Sequence, residues 1–547
     1  DAVIFGPAMD PVDWSGRTAA STASLMLATV EETGGSSQLN IWDLTSTTIA
    51  GATPLYTVTI GQVATSITAL MGYVMVGTEG APFFYAPHDN DAWGELTTGW
   101  PRRIHSTTTP ALTHNNVRAV ASGFSDQPAH DPRTGGPHPT FSVAYGTGAD
   151  TVSILKDDGT VINKAGTINA SGPITGITSS GHVFNSFSTN NRVDISASPL
   201  SAITADDYGI VDFMQSSTAF PSTFGVDSAF DTHGSMAVGG IAAGLSFIHW
   251  GESGEYSNAK TVTAMVNRTY NTGHLVGAIR GAWLANSATA DRGPKANTLT
   301  AQGSITSAAV ASGSELLGYS GWSGSVHLRQ ANDADWNALA EAPCHLSCWV
   351  KSSGTSATEI FCGFGDSDLG KQFFIGMLTS GVISGGANGA DATASLDGTQ
   401  VLDDGEWHKL DMVRIDASTH YCYVDGRLES SDTSTDTGTI SGTHQFAIGG
   451  LGDPDITTGT RAAPATSSTL SLVKISATAP SVTQIREMYD AEKGMFVANA
   501  KCLLQSGSTD AVLDVSVDPI TSKVAVTQTD SQMIFDGLVV DSTPAVN

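Results

Sequence analysis

Charge is scarce in this sequence, and positive charge scarcer still. Only 14% of the 547 residues are charged, and 25 basic residues stand against 53 acidic ones, for a net charge of −28. That balance excludes broad contact with DNA, RNA or anionic lipid, whose phosphates need basic patches. Long apolar runs are missing too: nothing approaches the roughly 18 consecutive apolar residues of a membrane-spanning helix. No signal-peptide pattern opens the chain, and its first residue, Asp1, leaves an upstream segment open. Cysteine is rare and odd in number: Cys344, Cys348, Cys362, Cys422 and Cys502. A disulfide or two stays open, but Cys344, Leu346, Cys348 and Val350 alternate as one buried strand face, so free core thiols are expected. His345 follows Cys344 directly and points to the opposite face, which removes that pair as zinc ligands. The chain also lacks a G-x-S-x-G elbow, a P-loop and an H-E-x-x-H helix.

What is abundant is turn material, including 59 glycines. From about residue 20 to 290 one pattern recurs: an apolar strand, a Gly- or Ser-bearing turn, a second strand, a polar turn and a third strand. Ser24–Leu44, Ser66–Pro87, Pro139–Ile162, Pro173–Ile195 and Ser235–Ser257 are copies, spaced by about forty to sixty residues, with Asp158-Gly159 as a hairpin turn in the third. Meanders repeated at that period predict a β-propeller-like domain over residues 1–290. A series of unrelated β-sandwiches is the competing reading. The Ile41-Trp42-Asp43 triplet resembles the propeller WD dipeptide, a single instance.

Beyond Arg292 strands lengthen and hairpins become cleaner. In HYCYVDGRLES, Tyr421 and Tyr423 face one way, Cys422 and Val424 the other, and Asp425-Gly426 supplies a two-residue turn. About a dozen such strands predict a two-sheet jelly roll over residues 291–497. It closes on the one convincing helix, Ser481–Phe496. Ser481 and Gln484 form a capping box, and Val482, Ile485, Met488 and Tyr489 recur on one face. Lys493 suits the negative end of the helix dipole, and Gly494 is expected to stop the helix in a left-handed conformation. Residues 498–547 return to the meander pattern in Ala511–Val540, so the jelly roll reads as inserted between propeller-like blades.

Three stretches taken together, SELLGYSGWSGSVHLRQANDADWNAL…CHLSCWVK, DDGEWHKLDMVRI…HYCYVDGRLESS and SLVKISATAPSVTQIREMYDAEKGMF, resemble the laminin-G-like, concanavalin-A-like jelly roll. More narrowly they resemble the version found in bacteriophage tail-fibre and related virion proteins. The D-G-E-W-H and Y-V-D-G pieces are common to the wider superfamily; their combination with the closing helix is more specific. The resemblance implies an all-β protein: propeller-like meander sheets with an inserted concanavalin-A-like sandwich. It implies a non-enzymatic tail-fibre or tail-tip adhesin, partnered by other tail proteins and host-surface glycans. It also implies a homo-oligomer, commonly a trimer, in which weak sugar contacts add by avidity. A structural virion spacer and a secreted bacterial glycan-binding or glycan-active protein are the alternatives.

Glucanases of this superfamily place their carboxylates as E-x-D-x-x-E on one strand, about 5 Å apart for a retaining mechanism. The sequence contains neither that pattern nor E-x-D-x-E, which disfavours such an enzyme. Sialidase propellers carry S-x-D-x-G-x-T-W turns; SILKDDGTVI lacks the tryptophan and the spacing. Calcium is the candidate cofactor. Asp366 and Asp368, and Asp453 and Asp455, are carboxylates one residue apart in glycine-flanked loops, able to turn toward one cation, although each is also ordinary turn chemistry. Trp322 and Trp336 flank turns and are candidate sugar platforms, whereas Trp349 and Trp407 belong to core strands. Asn267-Arg268-Thr269 has the form of a glycosylation acceptor and reads as accidental.

Overall fold

The computed structural model describes residues 261–330 except 294, residues 343–505 except 355–356, 366–371, 389–394, 417, 434–444 and 451–462, and residues 511–544 except 519–520; before residue 261 it describes the strands named below and short stretches beside them. Four four-stranded antiparallel meanders come first. Their strands are Ala2–Phe5, Met26–Thr33, Ser36–Asp43 and Tyr56–Ile60; Ala64–Leu70, Tyr73–Thr78, Phe83–Ala86 and Asp91–Trp93; Val117–Gly123, Thr140–Tyr145, Asp150–Leu155 and Val161–Ala165; and Thr175–Ile177, Val183–Phe187, Arg192–Ile195 and Val211–Asp212. The turn between Thr33 and Ser36 is made by Gly34 and Gly35 at φ of 65° and 88°, the paired left-handed geometry that suits a twisted two-residue hairpin. The Asp158-Gly159 turn lies outside the described residues.

Each meander's first strand contacts the first strand of the next, a propeller-like arrangement. Neighbouring meanders bury a shared apolar layer. Leu39, Ile41, Val74 and Val76 form one, Met75, Val117, Phe141 and Val143 the next, and Ile154, Ile177 and Val183 a third. A five-stranded meander follows (Phe224–Phe230, Ser235–Gly240, Gly244–Trp250, Thr261–Val266 and Asn271–Val276). The C-terminal meander (Val512–Val517, Val524–Gln528, Gln532–Asp536 and Val539–Ser542) packs its first strand on Phe224–Phe230 and Ser235–Gly240. A single apolar cluster joins the two, with Ala237, Leu245 and Val266 against Val512, Val526 and Phe535.

Between them lies the sandwich. Its eight-stranded sheet is centred on Cys344–Ser352, flanked by Ser468–Ser476 and Trp407–Asp416. The seven-stranded sheet contains Gln445–Ile448, Glu359–Gly365 and Gln372–Met377 side by side. Ile279–Trp283 pairs with Ser468–Ser476, so strand pairing passes to the sandwich before residue 291, earlier than the change of sequence texture. Leu346, Val350, Met412 and Val473 meet Phe361, Phe364, Ile375 and Phe446 across the core.

All five cysteines are free and buried. Burial pushes the thiols of Cys344 and Cys502 up to about 12, which keeps them protonated and unreactive. A reducing agent should therefore leave the thermal midpoint unchanged. A fall of about 10 °C or more in a reduced scan, the signature of a lost bridge worth roughly 2–4 kcal/mol, would contradict these free thiols.

The Asp425-Gly426 turn takes φ of 51° and 74°, and it joins Thr419–Val424 to Arg427–Asp432 as expected. Helix α1, Val482–Glu492, carries the full capping box at Ser481 and Gln484. Two details differ from expectation. Val482 is 58% exposed, and the buried face is Ile485, Met488 and Glu492. Gly494 does not stop the helix in a left-handed conformation: the chain tightens into a 3₁₀ turn, Lys493–Phe496. That turn drives Met495 and Phe496 into the cluster shared with the C-terminal meander, and this packing outweighs glycine's local preference.

Candidate ligand-binding site

The sequence places its candidate ligand residues in loops and turns of the sandwich. Asp366, Asp368, Asp453, Asp455 and Trp336 lie outside the described residues. The strands that lead into the two aspartate segments are described. Glu359–Gly365 and Gln445–Ile448 run antiparallel, with Gly365 opposite Gln445 and Cys362 opposite Ile448. The segment with Asp366 and Asp368 follows Gly365; the one with Asp453 and Asp455 follows Gly449 and Gly450, beyond Ile448. The chain thus leaves the sheet toward the two aspartate pairs from opposite ends, roughly 10 Å apart along the strands. Among the described residues no group of three or more His, Cys, Asp or Glu is placed to hold a metal ion.

Trp322 is corrected outright. It is 2% exposed in the sandwich core, and its Nε1 donates to the Tyr319 carbonyl at 3.0 Å. Its ring lies so close over Gly449 that an added Cβ there would stand 2.2 Å from it. The turn next to Trp322 folds it inward, and a buried ring is no platform for sugar. Trp349 is also buried, stacked on Phe496 at 4.1 Å, while Trp407 is half-buried and donates to the Val310 carbonyl at 2.9 Å. Asn267 is buried too: its Oδ1 accepts from the backbone of Thr269 and Tyr270 at 2.9 and 3.1 Å, which accounts for the sequon as turn chemistry.

The described residues do form a cleft elsewhere, about 700 Å³ in volume, at the junction of three parts of the chain. One wall is the outward face of α1, including Val482, Arg486, Glu487 and Asp490. A second is the five-stranded meander, with Phe247, His249, Val262 and His274. The third is the C-terminal meander, with Thr521, Ser522, Val524 and Asp536. Across the first two walls His249 Nε2 stands 3.5 Å from Glu487 Oε2. Within α1, Arg486 holds Asp490 with two nitrogens, at 2.7 and 3.3 Å. Asp536 is 3.9 Å from Lys523 Nζ.

Behind this cleft the middle of the eight-stranded sheet's outer face is sealed from water. The polar alternation of Trp407–Asp416 reads as a solvent-facing strand, yet Lys409 and Asp411 are fully buried there. Asp411 Oδ1 pairs with Lys409 Nζ and lies 2.9 Å from His345 Nε2. Glu492, at the end of α1, pairs with Lys474 Nζ and accepts from Trp349 Nε1 at 2.7 Å and from the His274 backbone N–H at 2.8 Å. One carboxylate thereby ties helix, sandwich sheet and five-stranded meander together. Burial by itself would raise Asp411 and Glu492, but Lys409 beside the first and Lys474 beside the second hold both below the usual carboxylate range. Burial holds His274 down at about 4, against the pull of Glu492, so its imidazole is neutral at pH 7. Its Nδ1 is buried without a partner.

A family model described as the concanavalin A-like lectin/glucanases superfamily (Laminin_G_3) matches residues 324–486. No curated protein matches the chain. Among solved structures it is similar to the binding domain of Paraclostridial Mosquitocidal Protein 1, at 9% identity and a TM-score of 0.31, covering 39% of this chain and 52% of that one. It is similar to domain 4 of AbnA, a GH43 extracellular arabinanase from Geobacillus stearothermophilus, solved in complex with arabinotriose. There the identity is 18%, the TM-score 0.27, and the coverage 39% of this chain and 98% of that one. A third is the heptameric SAP-like pentraxin of Limulus polyphemus, at 14% identity and a TM-score of 0.25, covering 30% and 76%. The chain spans about half the length of the toxin binding domains it matches, and the TM-scores are below 0.5. What the match over residues 324–486 establishes, on a two-sheet sandwich in a nearly all-β chain, is a concanavalin A-like, lectin-like domain.

Proposed function

We propose that this chain is a non-enzymatic glycan-binding component of a bacteriophage virion, a tail-fibre or tail-tip adhesin built on a propeller-like scaffold. The observation that carries the glycan-binding part is the lectin-like match over residues 324–486. The missing E-x-D-x-x-E strand favours binding over hydrolysis. The tail assignment rests on the resemblance of the jelly roll and its closing helix to virion proteins. Rigid β-scaffolds suit this role because their loops vary without unfolding the core. The chain works as a homo-oligomer, a trimer being favoured, among other tail proteins, outside the host cell. Two measurements test the whole reading. Full-length protein on a printed glycan array should bind at least one oligosaccharide class, and no binding refutes the adhesin. An antibody to the chain should decorate virion tails in negative stain; absence from virions refutes the tail role and leaves a secreted bacterial glycan-binding protein.

The sandwich, over residues 291–497, is proposed as an insertion between the five-stranded and C-terminal meanders. Truncation after residue 505 should then strip hydrogen-exchange protection from Ser235–Gly240 and Gly244–Trp250, which pack on the lost strands. Unchanged exchange there would sink the insertion.

Calcium is the proposed cofactor of the rim, through Asp366 and Asp368 or Asp453 and Asp455. One aspartate pair supplies too few oxygens by itself, so backbone carbonyls and water would complete the shell and affinity would be weak, around 10⁻⁴ to 10⁻³ M. The thermal midpoint should rise in calcium above that range relative to EDTA, by mass action on the folded state. The response should vanish when the ligating pair becomes Asn. A midpoint indifferent to calcium removes the metal and leaves four turn aspartates.

A further inference from the structure

Among the described residues the cleft beside α1 is lined by α1 and the two meanders, with Gly426 from the sandwich hairpin. Its volume, about 700 Å³, is that of a small-molecule site, commonly about 300–1,000 Å³. Phe247, Val262 and Val524 give it apolar surface. Phe247 is fixed edge-on against Phe535, with ring centroids 5.7 Å apart. The polar groups are of both kinds. Glu487 and Asp490 accept, Arg486 donates, and His249, Thr521 and Ser522 do either. His274 lines the same space with a buried Nδ1 that lacks a partner.

Charge decides the class of ligand. The two carboxylates that α1 turns into the cleft already have a basic partner, Glu487 in His249 and Asp490 in Arg486, while the exposed Asp536 lies 3.9 Å from Lys523, which Asp541 holds more closely at 3.0 Å. A cationic ligand would have to displace one of these. An anionic ligand would meet no uncommitted cation among the described lining residues, inside a chain whose net charge is −28. An uncharged polyol suits both features: its hydroxyls donate and accept at once, and the C–H face of a sugar ring covers apolar surface.

We propose that the cleft between α1, the five-stranded meander and the C-terminal meander binds a neutral oligosaccharide. This inference rests on the glycan-binding reading and gives it a seat built from residues other than the four aspartates. Because the walls come from the sandwich helix and from the meanders on both sides of it, the seat exists only when all three are packed together. No part of the chain on its own would hold it.

The test is a printed array of neutral, aminated and sialylated oligosaccharides probed with the full-length chain. Val482→Trp fills the mouth from a position 58% exposed, and Glu487→Gln breaks the pair with His249 without changing shape. The control is Val401→Thr, a position 50% exposed on the sandwich and outside the cleft lining, and Asp366→Asn with Asp368→Asn, and Asp453→Asn with Asp455→Asn, probe the aspartate loops as a rival seat. Neutral oligosaccharides should bind. Both cleft variants should lose about tenfold or more in affinity, the scale of one hydrogen bond to a charged group, with an unchanged thermal midpoint, while Val401→Thr binds as wild type. Binding lost only in the aspartate variants, with both cleft variants at wild-type affinity, overturns the cleft and leaves the adhesin standing. Binding confined to aminated or sialylated sugars overturns the neutral class. A wild-type chain that binds nothing on the array removes the cleft and the adhesin together.

Discussion

Replacing Glu492 by alanine should cost about 3–5 kcal/mol of stability, the scale for a buried ion pair that loses one partner. Lys474 would be left as a charge in a sealed layer, and the Trp349 Nε1–H and His274 N–H would lose their acceptor. Pairing Lys474→Met with Glu492→Leu should recover most of the loss, because two apolar groups need no partner there. Scanning calorimetry of the single and double variants at pH 7 checks both. A single variant within about 1 kcal/mol of wild type would mean water reaches the pair.

Acid should attack the same layer. Glu492 and Asp411 have folded pKa values below their unfolded ones, so their contribution is complete above the ordinary carboxylate range and is lost as pH falls toward the folded values. His274 acts earlier. Its pKa falls from 6.5 unfolded to about 4 folded, so between those values the unfolded chain binds a proton that the folded chain refuses. Stability should start to decline below about pH 6.5 and steepen below pH 4. His274→Gln should flatten the first part of the decline; a curve identical to wild type would discharge His274 from it.

Trp322→Ala should destabilise the sandwich by about 3–5 kcal/mol, the usual cost of emptying a tryptophan site in a packed core. The indole fills the space between Tyr319, whose carbonyl it bonds, and Gly449. Gly449→Ala should be costly at the same place, because the residue sits at φ +86° and its new methyl would enter the ring. Neither change should alter glycan affinity per folded molecule. Chemical denaturation beside array binding separates the roles: lost binding with intact stability would return Trp322 to the ligand surface.

Local chemistry was legible in the sequence where the residues that decide it are neighbours. The Asp425-Gly426 hairpin, the Ser481 and Gln484 capping box, and the alternation of Cys344, Leu346, Cys348 and Val350 are each settled by chain geometry within a few residues. The meander rhythm was legible too, because each strand carries its own apolar face. Trp322 was misread because a tryptophan beside a turn looks the same whether the turn folds outward or back over a glycine 127 positions later.

What the sequence determined by itself, then, is strands, turns and one helix, together with the jelly-roll class. Tertiary structure alone decided the fate of Lys409, Asp411, Lys474 and Glu492. Their polar alternation reads as one wet sheet face and one helix end. The five-stranded meander and α1 close over that face, and only then do four charged groups, scattered over 84 residues, have to neutralise one another away from water. The cleft beside them has the same origin. Its five-stranded-meander wall lies more than 200 residues before the other two in the chain, and no local pattern can announce a space that exists only between packed parts.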